Sequence, residues 1–141
     1  MAAPRPSWRA GGRSRIVVPV PRKTPLDRLR AVCMALPEAT ERLSHGSPTW
    51  FIAGKKTFVT YVDDHHGDGI LGFWCAAPSG VQQELVSEEP NRFFRPPYVG
   101  GRGWLGVRLD RSPDWNEVAE IVEDAYRTVA SPKFLKLLDA R

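Results

Sequence analysis

The densest set of chemically capable side chains in the sequence is Asp63-Asp64-His65-His66-Gly67-Asp68-Gly69. Carboxylates and imidazoles packed this closely can hold a divalent cation. A calcium loop opening at Asp64 would need a bidentate Glu at its last position, where Cys75 stands, and no helical pair of histidines four apart is present. Asp and Gly are also what turns require, so the segment reads first as a polar loop. Metal-dependent hydrolysis there ranks third among the functional readings. His45 sits in Ser44-His45-Gly46-Ser47 and could pair with Cys33 or Ser47 as base and nucleophile. No nucleophile elbow surrounds either serine, so His45 reads as a loop residue in a structural hydrogen bond. Cys33 and Cys75 are the only cysteines and have no redox or metal spacing. They read as small buried hydrophobes in a reducing, cytoplasmic setting. Gly100-Gly101-Arg102-Gly103 leads into an alternating segment rather than a helix and lacks a following Lys-Ser or Lys-Thr. It therefore reads as a hairpin turn, not a phosphate loop. No catalytic constellation emerges, and the chain is expected to be no enzyme and to need no cofactor or metal.

Binding chemistry is better represented. Lys55 and Lys56 fall at an expected hairpin tip, Arg92 and Arg95 flank Phe93-Phe94, and Arg102 lies beside Trp104. If the hairpin tip and the glycine turn share one side, Lys55, Lys56, Arg95, Arg102 and Trp104 form a small basic and aromatic surface able to contact phosphates. A second reading uses the same region differently. Trp50, Trp74, Phe94, Tyr98 and Trp104 would line a groove for a small molecule or protein segment, with arginines orienting an anion. Both compete with the ordinary role of tryptophan as a core residue and of turn lysine and arginine as solvated charge.

The charge balance decides where nucleic-acid affinity would have to come from. The chain has 141 residues, suited to one domain, and a formal charge of +4. Residues 1–23 hold six basic and no acidic residues, with four Pro and two Gly, and read as a flexible basic arm. Residues 24–141 hold the other 14 basic and all 16 acidic residues, a balance of −2. Any DNA affinity must then come from a local patch, from the arm, or from both. No apolar run approaches the ~18 residues of a membrane span, so no membrane partner is expected.

These residues need elements to position them. Thr24 and Pro25 suit the start of a helix to about Leu36, with Leu26, Leu29, Val32, Cys33 and Leu36 on one face. Residues 38–48 read as a loop. Thr49 to Ala53 and Thr57 to Val62 read as strands joined by a turn at Gly54-Lys55-Lys56, and Ile70 to Ala76 as a third strand of a meander. A short helix from Pro78 to Ser87 follows, then an extended Phe93 to Val99. In Trp104 to Leu109, Leu105, Val107 and Leu109 share one face. A long helix from Asp114 to Ala130 and a short one from Lys133 to Asp139 close the chain. This order predicts one α+β domain over 24–141, an antiparallel sheet with helices packed on one face.

Two halves of the sequence then fit a known pattern. Ala35-Leu36-Pro37-Glu38-Ala39-Thr40-Glu41, Gly46-Ser47-Pro48-Thr49-Trp50 and Gly54-Lys55-Lys56-Thr57-Phe58 resemble the N-terminal signature of the MmcQ/YjbR family. Pro96-Pro97-Tyr98-Val99-Gly100, Gly103-Trp104-Leu105-Gly106-Val107 and Ala125-Tyr126 resemble its C-terminal half. The resemblance covers about residues 26–135. It implies a CyaY-like fold with hairpins likened to a double-wing DNA-binding arrangement, without catalytic residues or a cofactor. Carried onto this chain, wing contacts would fall on Lys55, Lys56, Arg102 and Trp104. The leading expectation is therefore weak, largely sequence-independent DNA binding. About five phosphate contacts would give a log–log salt slope near −4 to −5.

Overall fold

The computed structural model describes residues 23–141. The arm expected at 1–23 lies outside them except for its last residue. α1 (Pro25–Met34) opens with a reciprocal cap: the Thr24 hydroxyl accepts from the Asp27 N–H, and the Asp27 carboxylate accepts from the Thr24 N–H. Six strands follow in the chain: β1 (Ala39–Ser44), β2 (Ser47–Ile52), β3 (Lys56–Asp63), β4 (Leu71–Cys75), β5 (Phe93–Phe94) and β6 (Leu105–Arg108). They form one antiparallel sheet in the order β1-β2-β3-β4-β6-β5. α2 (Val81–Glu88) lies between β4 and β5, while α3 (Trp115–Val129) and α4 (Pro132–Asp139) end the chain.

The core lies between the sheet and the helices. Leu29 and Cys33 of α1 and Val118, Val122, Ala125 and Tyr126 of α3 are buried in one cluster with Trp50, Ile52, Phe58 and Phe73 of the strands. Phe58 meets Tyr126 edge to face at 5.6 Å, and the Tyr126 hydroxyl donates to the Pro37 carbonyl at 2.9 Å. The Tyr126 bond joins the two ends of the chain across the α1–β1 link. The expected fold class holds: α+β, with an antiparallel sheet and four helices.

Two features of the sheet differ from expectation, and both shape its second face. Residues 39–44 form an edge strand, not part of a loop. β1 and β2 are joined by His45 and Gly46, both at positive φ (51° and 82°), the left-handed pair that a two-residue hairpin turn demands. Ser44-His45-Gly46-Ser47, inside the expected loop, is therefore turn chemistry within a hairpin. β3 carries a bulge: Trp50 pairs with Val59 but Phe51 pairs with Thr57, leaving Phe58 extra. The bulge lets both Phe58 and Val59 reach the core while Thr57, Thr60 and Val62 line the opposite face.

Candidate functional site, a groove on the second face of the sheet

The face of the sheet away from α1 and α3 carries a groove of about 680 Å³. No α-helical residue is among the described residues lining it. Alternation within the strands decides what reaches it. β2 presents Thr49 and Phe51 there while Trp50 and Ile52 point to the core. β4 contributes Trp74, paired across the sheet with Thr60 on one side and Gly106 on the other. Trp104, at the threshold of β6, supplies a second indole, and Tyr98 and Val99 bound the groove from the connection between β5 and β6. Gly106 is required here: a Cβ on it would lie 2.4 Å from the Phe94 ring, which packs over this stretch of β6. Gln82, buried on α2, donates through Nε2 to the carbonyls of both Gly100 and Trp104. Those two bonds, one from each amide hydrogen, fix the turn bearing Arg102.

The far end is closed by histidines. The β3–β4 connection forms a short 3₁₀ turn at His65–Gly67, with Asp64 and His66 at positive φ (57° and 51°). Asp64 Oδ1 accepts from the Gly69 N–H at 2.7 Å and Asp68 Oδ1 from the Ile70 N–H at 2.9 Å. These carboxylates shape the loop and turn His65 inward, where its ring meets Trp74 at 5.0 Å and Tyr98 at 5.9 Å, both edge-on. His45, from the β1–β2 turn, lines the same groove. Among the described residues no group of three or more His, Cys, Asp or Glu is arranged to hold a metal ion.

Polar matching in the groove is uneven. The Thr49 hydroxyl is bonded to the Ser47 carbonyl at 3.0 Å, and the Thr57 hydroxyl to the Trp50 carbonyl at 3.3 Å. By contrast, Trp74 Nε1–H and His65 Nε2 are buried and have no hydrogen-bond partner in the protein. Buried polar atoms without partners are rare, and each costs about 1–3 kcal/mol. Two arginines flank the groove, each over an aromatic ring: Arg42 lies 3.7 Å from the Phe51 centroid and Arg102 lies 5.5 Å from that of Trp104. Among the described residues lining the groove, none is Asp or Glu.

The expected site residues are distributed as follows. Arg102 and Trp104 border the groove as the glycine-turn reading required, although Gly100–Arg102 forms a 3₁₀ turn rather than a hairpin turn. Arg95 is exposed and its stem lies against Gly100, where a Cβ would meet its Cγ at 2.7 Å. Lys55 and Lys56 stand exposed at the β2–β3 hairpin as expected, but line a separate cavity of about 230 Å³ with Ile52, Val129 and Phe134. The structure thus does not gather the five expected contacts into one lined surface. Of the expected aromatic groove, Trp74, Tyr98 and Trp104 line it. Trp50 does not: it is fully buried on the helix side, its Nε1–H donating to Glu41 at 3.1 Å. Phe94 lies outside the lining, against Gly106.

Phe51 and the threonines were not singled out in the sequence, and His65 was, but as part of a polar loop rather than of the groove. Period-two alternation from Thr49 would have found Phe51. The bulge at Phe58 hides the pattern in β3. Burial holds both cysteines as thiols: desolvation pushes the Cys33 and Cys75 pKa values well above the usual range. Cys33 belongs to the core, apart from the groove that His45 lines.

An antiparallel sheet with helices behind it and an aromatic groove in front defines a class of small α+β domain. The YjbR family model matches residues 34–128, and the chain belongs to that family. Its fold is shared by the crystal structure of Deinococcus radiodurans protein DR2400, which carries the family-model domain DUF419. The two align with a TM-score of 0.64 at 19% identity, over 84% of this chain and 92% of that one. No curated protein matches the sequence. Among the described residues no helix is long and apolar enough to cross a membrane.

Proposed function

We propose that this domain is a binding module rather than a catalyst, and that its ligand seats in the groove on the second face of the sheet. The observation that carries the reading is the groove's composition. Strands β2 and β4 and the residue preceding β6 bring Phe51, Trp74 and Trp104 to one concavity of about 680 Å³, within the size range of small-molecule sites. Its buried indole donor has no partner in the protein. A fragment screen read on the tryptophan indole N–H resonances tests this, with Trp74 and Trp104 assigned by single Trp→Phe variants. Fragments that move those two resonances and not that of Trp50 are the expected result. A broad screen in which no fragment moves either one sinks the reading.

DNA contact is the second reading, favoured by one observation. Lys55, Lys56, Arg95 and Arg102 are exposed, and none forms a salt bridge among the described residues. Four such contacts would give a log–log salt slope of about −3.6 on duplex DNA. Replacing Lys55 and Lys56 with alanine should flatten that slope by about 2 units. Anisotropy titrations of a labelled duplex at several salt concentrations measure both, and no binding at low salt removes DNA as a partner.

A further inference from the structure

We infer that the ligand of this groove is an organic anion with a flat aromatic body. The inference rests on the binding-module reading and names the chemistry of its ligand. Flatness follows from the walls. Phe51 and Trp74 belong to the sheet and Trp104 immediately precedes β6, while His65 meets both Trp74 and Tyr98 edge-on and Tyr98 lies tilted against Trp74, so aromatic rings border any occupant from several sides. Such surfaces favour another π system over a bulky saturated body.

The sign of the charge follows from how the carboxylates are distributed. Arg30, Arg92, Arg108 and Arg127 are each held by Asp or Glu. Arg42 and Arg102 have no such partner among the described residues, a state they share with Arg28 and Arg95; Arg102 lines the groove and stacks on Trp104, while Arg42 stacks on the groove residue Phe51 and donates to the Gly54 carbonyl at 3.1 Å. Residues 24–141 carry an excess of two acidic groups, yet none of those carboxylates lines the groove among the described residues. An anion entering there meets guanidinium and imidazole without opposing acid, and the Arg102 fork can bind it directly.

Placement follows from the two unpartnered nitrogens. Trp74 is 93% buried (7% exposed), and its Nε1–H and the Nε2 of His65 have no contact with solvent. A ligand that reaches them must part the His65–Trp74–Tyr98 ring cluster. Tyr98 is the exposed member, with 75% of its surface open to solvent, and so the ring a ligand can displace. An acceptor atom on the ligand then satisfies the indole N–H, recovering the cost of leaving it unpaired.

Matched probes test this by calorimetry and by the Trp74 and Trp104 indole resonances. 2-Naphthoate and 2-naphthyl phosphate supply a flat body with a carboxylate or a phosphate. 2-Naphthamide is flat and neutral, and decalin-2-carboxylate is anionic and not flat. At least one flat anion should bind tenfold or more tighter than both controls and move both indoles. Arg102→Gln, at an exposed position, should weaken that anion about tenfold and leave 2-naphthamide unchanged. Trp74→Phe, which keeps a ring but loses the donor, should weaken it several-fold. Equal binding of the amide or the decalin acid overturns the flat-anion assignment while the groove stands as a binding site. Silence from all four probes, with other fragments still moving the indoles, does the same. If no fragment of any kind reaches Trp74 or Trp104, this inference and the binding-module reading fall together.

Discussion

The two faces of the sheet use tryptophan in opposite ways. On the helix side, Trp50 is fully buried and its indole N–H donates to Glu41, which also accepts from Arg30 at 2.8 and 3.0 Å. On the groove side, one strand beyond β3, Trp74 is nearly as buried and its indole N–H donates to nothing in the protein. The helix-side arrangement is what stability alone would produce, since a buried donor left unpaired is a net loss. The groove side forgoes that gain. The difference shows that burial by itself does not separate core from site; matching of polar tips does.

The largest effect expected from this comparison falls on Glu41. Its carboxylate is the shared acceptor of Trp50 and Arg30, tying β1, β2 and α1 together. Glu41→Ala would strand a buried indole donor and free Arg30, at a cost of about 2–3 kcal/mol. Urea unfolding measures it, and Glu41→Gln, which keeps an acceptor for Trp50, should recover about half. A loss below about 0.5 kcal/mol would mean that the paired tip contributes nothing and that the two faces do not differ in this respect.

Glu41 also explains what was legible in the sequence. Helices and central strands announced themselves through periodicity: α3 repeats apolar residues from Val118 to Val129, and β6 alternates Leu105 and Val107 against Gly106 and Arg108. β1 did not, because it is an edge strand whose inward residue is a paired acid and whose single large apolar residue, Leu43, is 69% exposed. Hydrophobic pattern cannot report a strand held by an ion pair and a turn. The site was legible in part for a similar reason. Trp74, Tyr98, Arg102 and Trp104 stood out by type, but assigning Trp50 to the groove required ignoring that Trp50 and Phe51 must face opposite ways. The bulge at Phe58, which puts Thr57 and Thr60 on one face, depends on pairing to β2 and leaves no local mark.

A sharper probe of the comparison comes from removing each indole in turn. Trp50→Phe deletes a satisfied donor and leaves the Glu41 carboxylate short of one bond, so it should cost about 2–3 kcal/mol including lost packing. Trp74→Phe loses some packing too, but deletes a donor that was unpaired. The two terms oppose, and its stability should stay within about 1 kcal/mol of the parent. Equal losses in the two variants by urea unfolding would show that Trp74 is as well matched as Trp50, and would take away the argument for a ligand acceptor at its nitrogen.

The smallest expected effect is one of pH, and it should touch only the helix side. Asp27 is held below the usual carboxylate range, first by the Thr24 N–H, then by the Thr24 hydroxyl, with Arg30 adding its charge. A carboxyl whose folded pKa is lowered contributes stability that is present above its unfolded value and lost as the pH falls through the folded one. Below about pH 4 the cap at the start of α1 should therefore weaken. Asp27 also holds Arg30 at 3.3 Å, and Arg30 holds Glu41, so the loss leads toward Trp50 and away from the groove. Asp27→Asn should lower stability slightly at neutral pH and flatten its fall between about pH 5 and 3. In the parent, the Trp50 indole resonance should shift over that interval before that of Trp74 does. If the Trp74 resonance moves first, the acid-sensitive element is the groove, and the paired and unpaired faces must be reassigned.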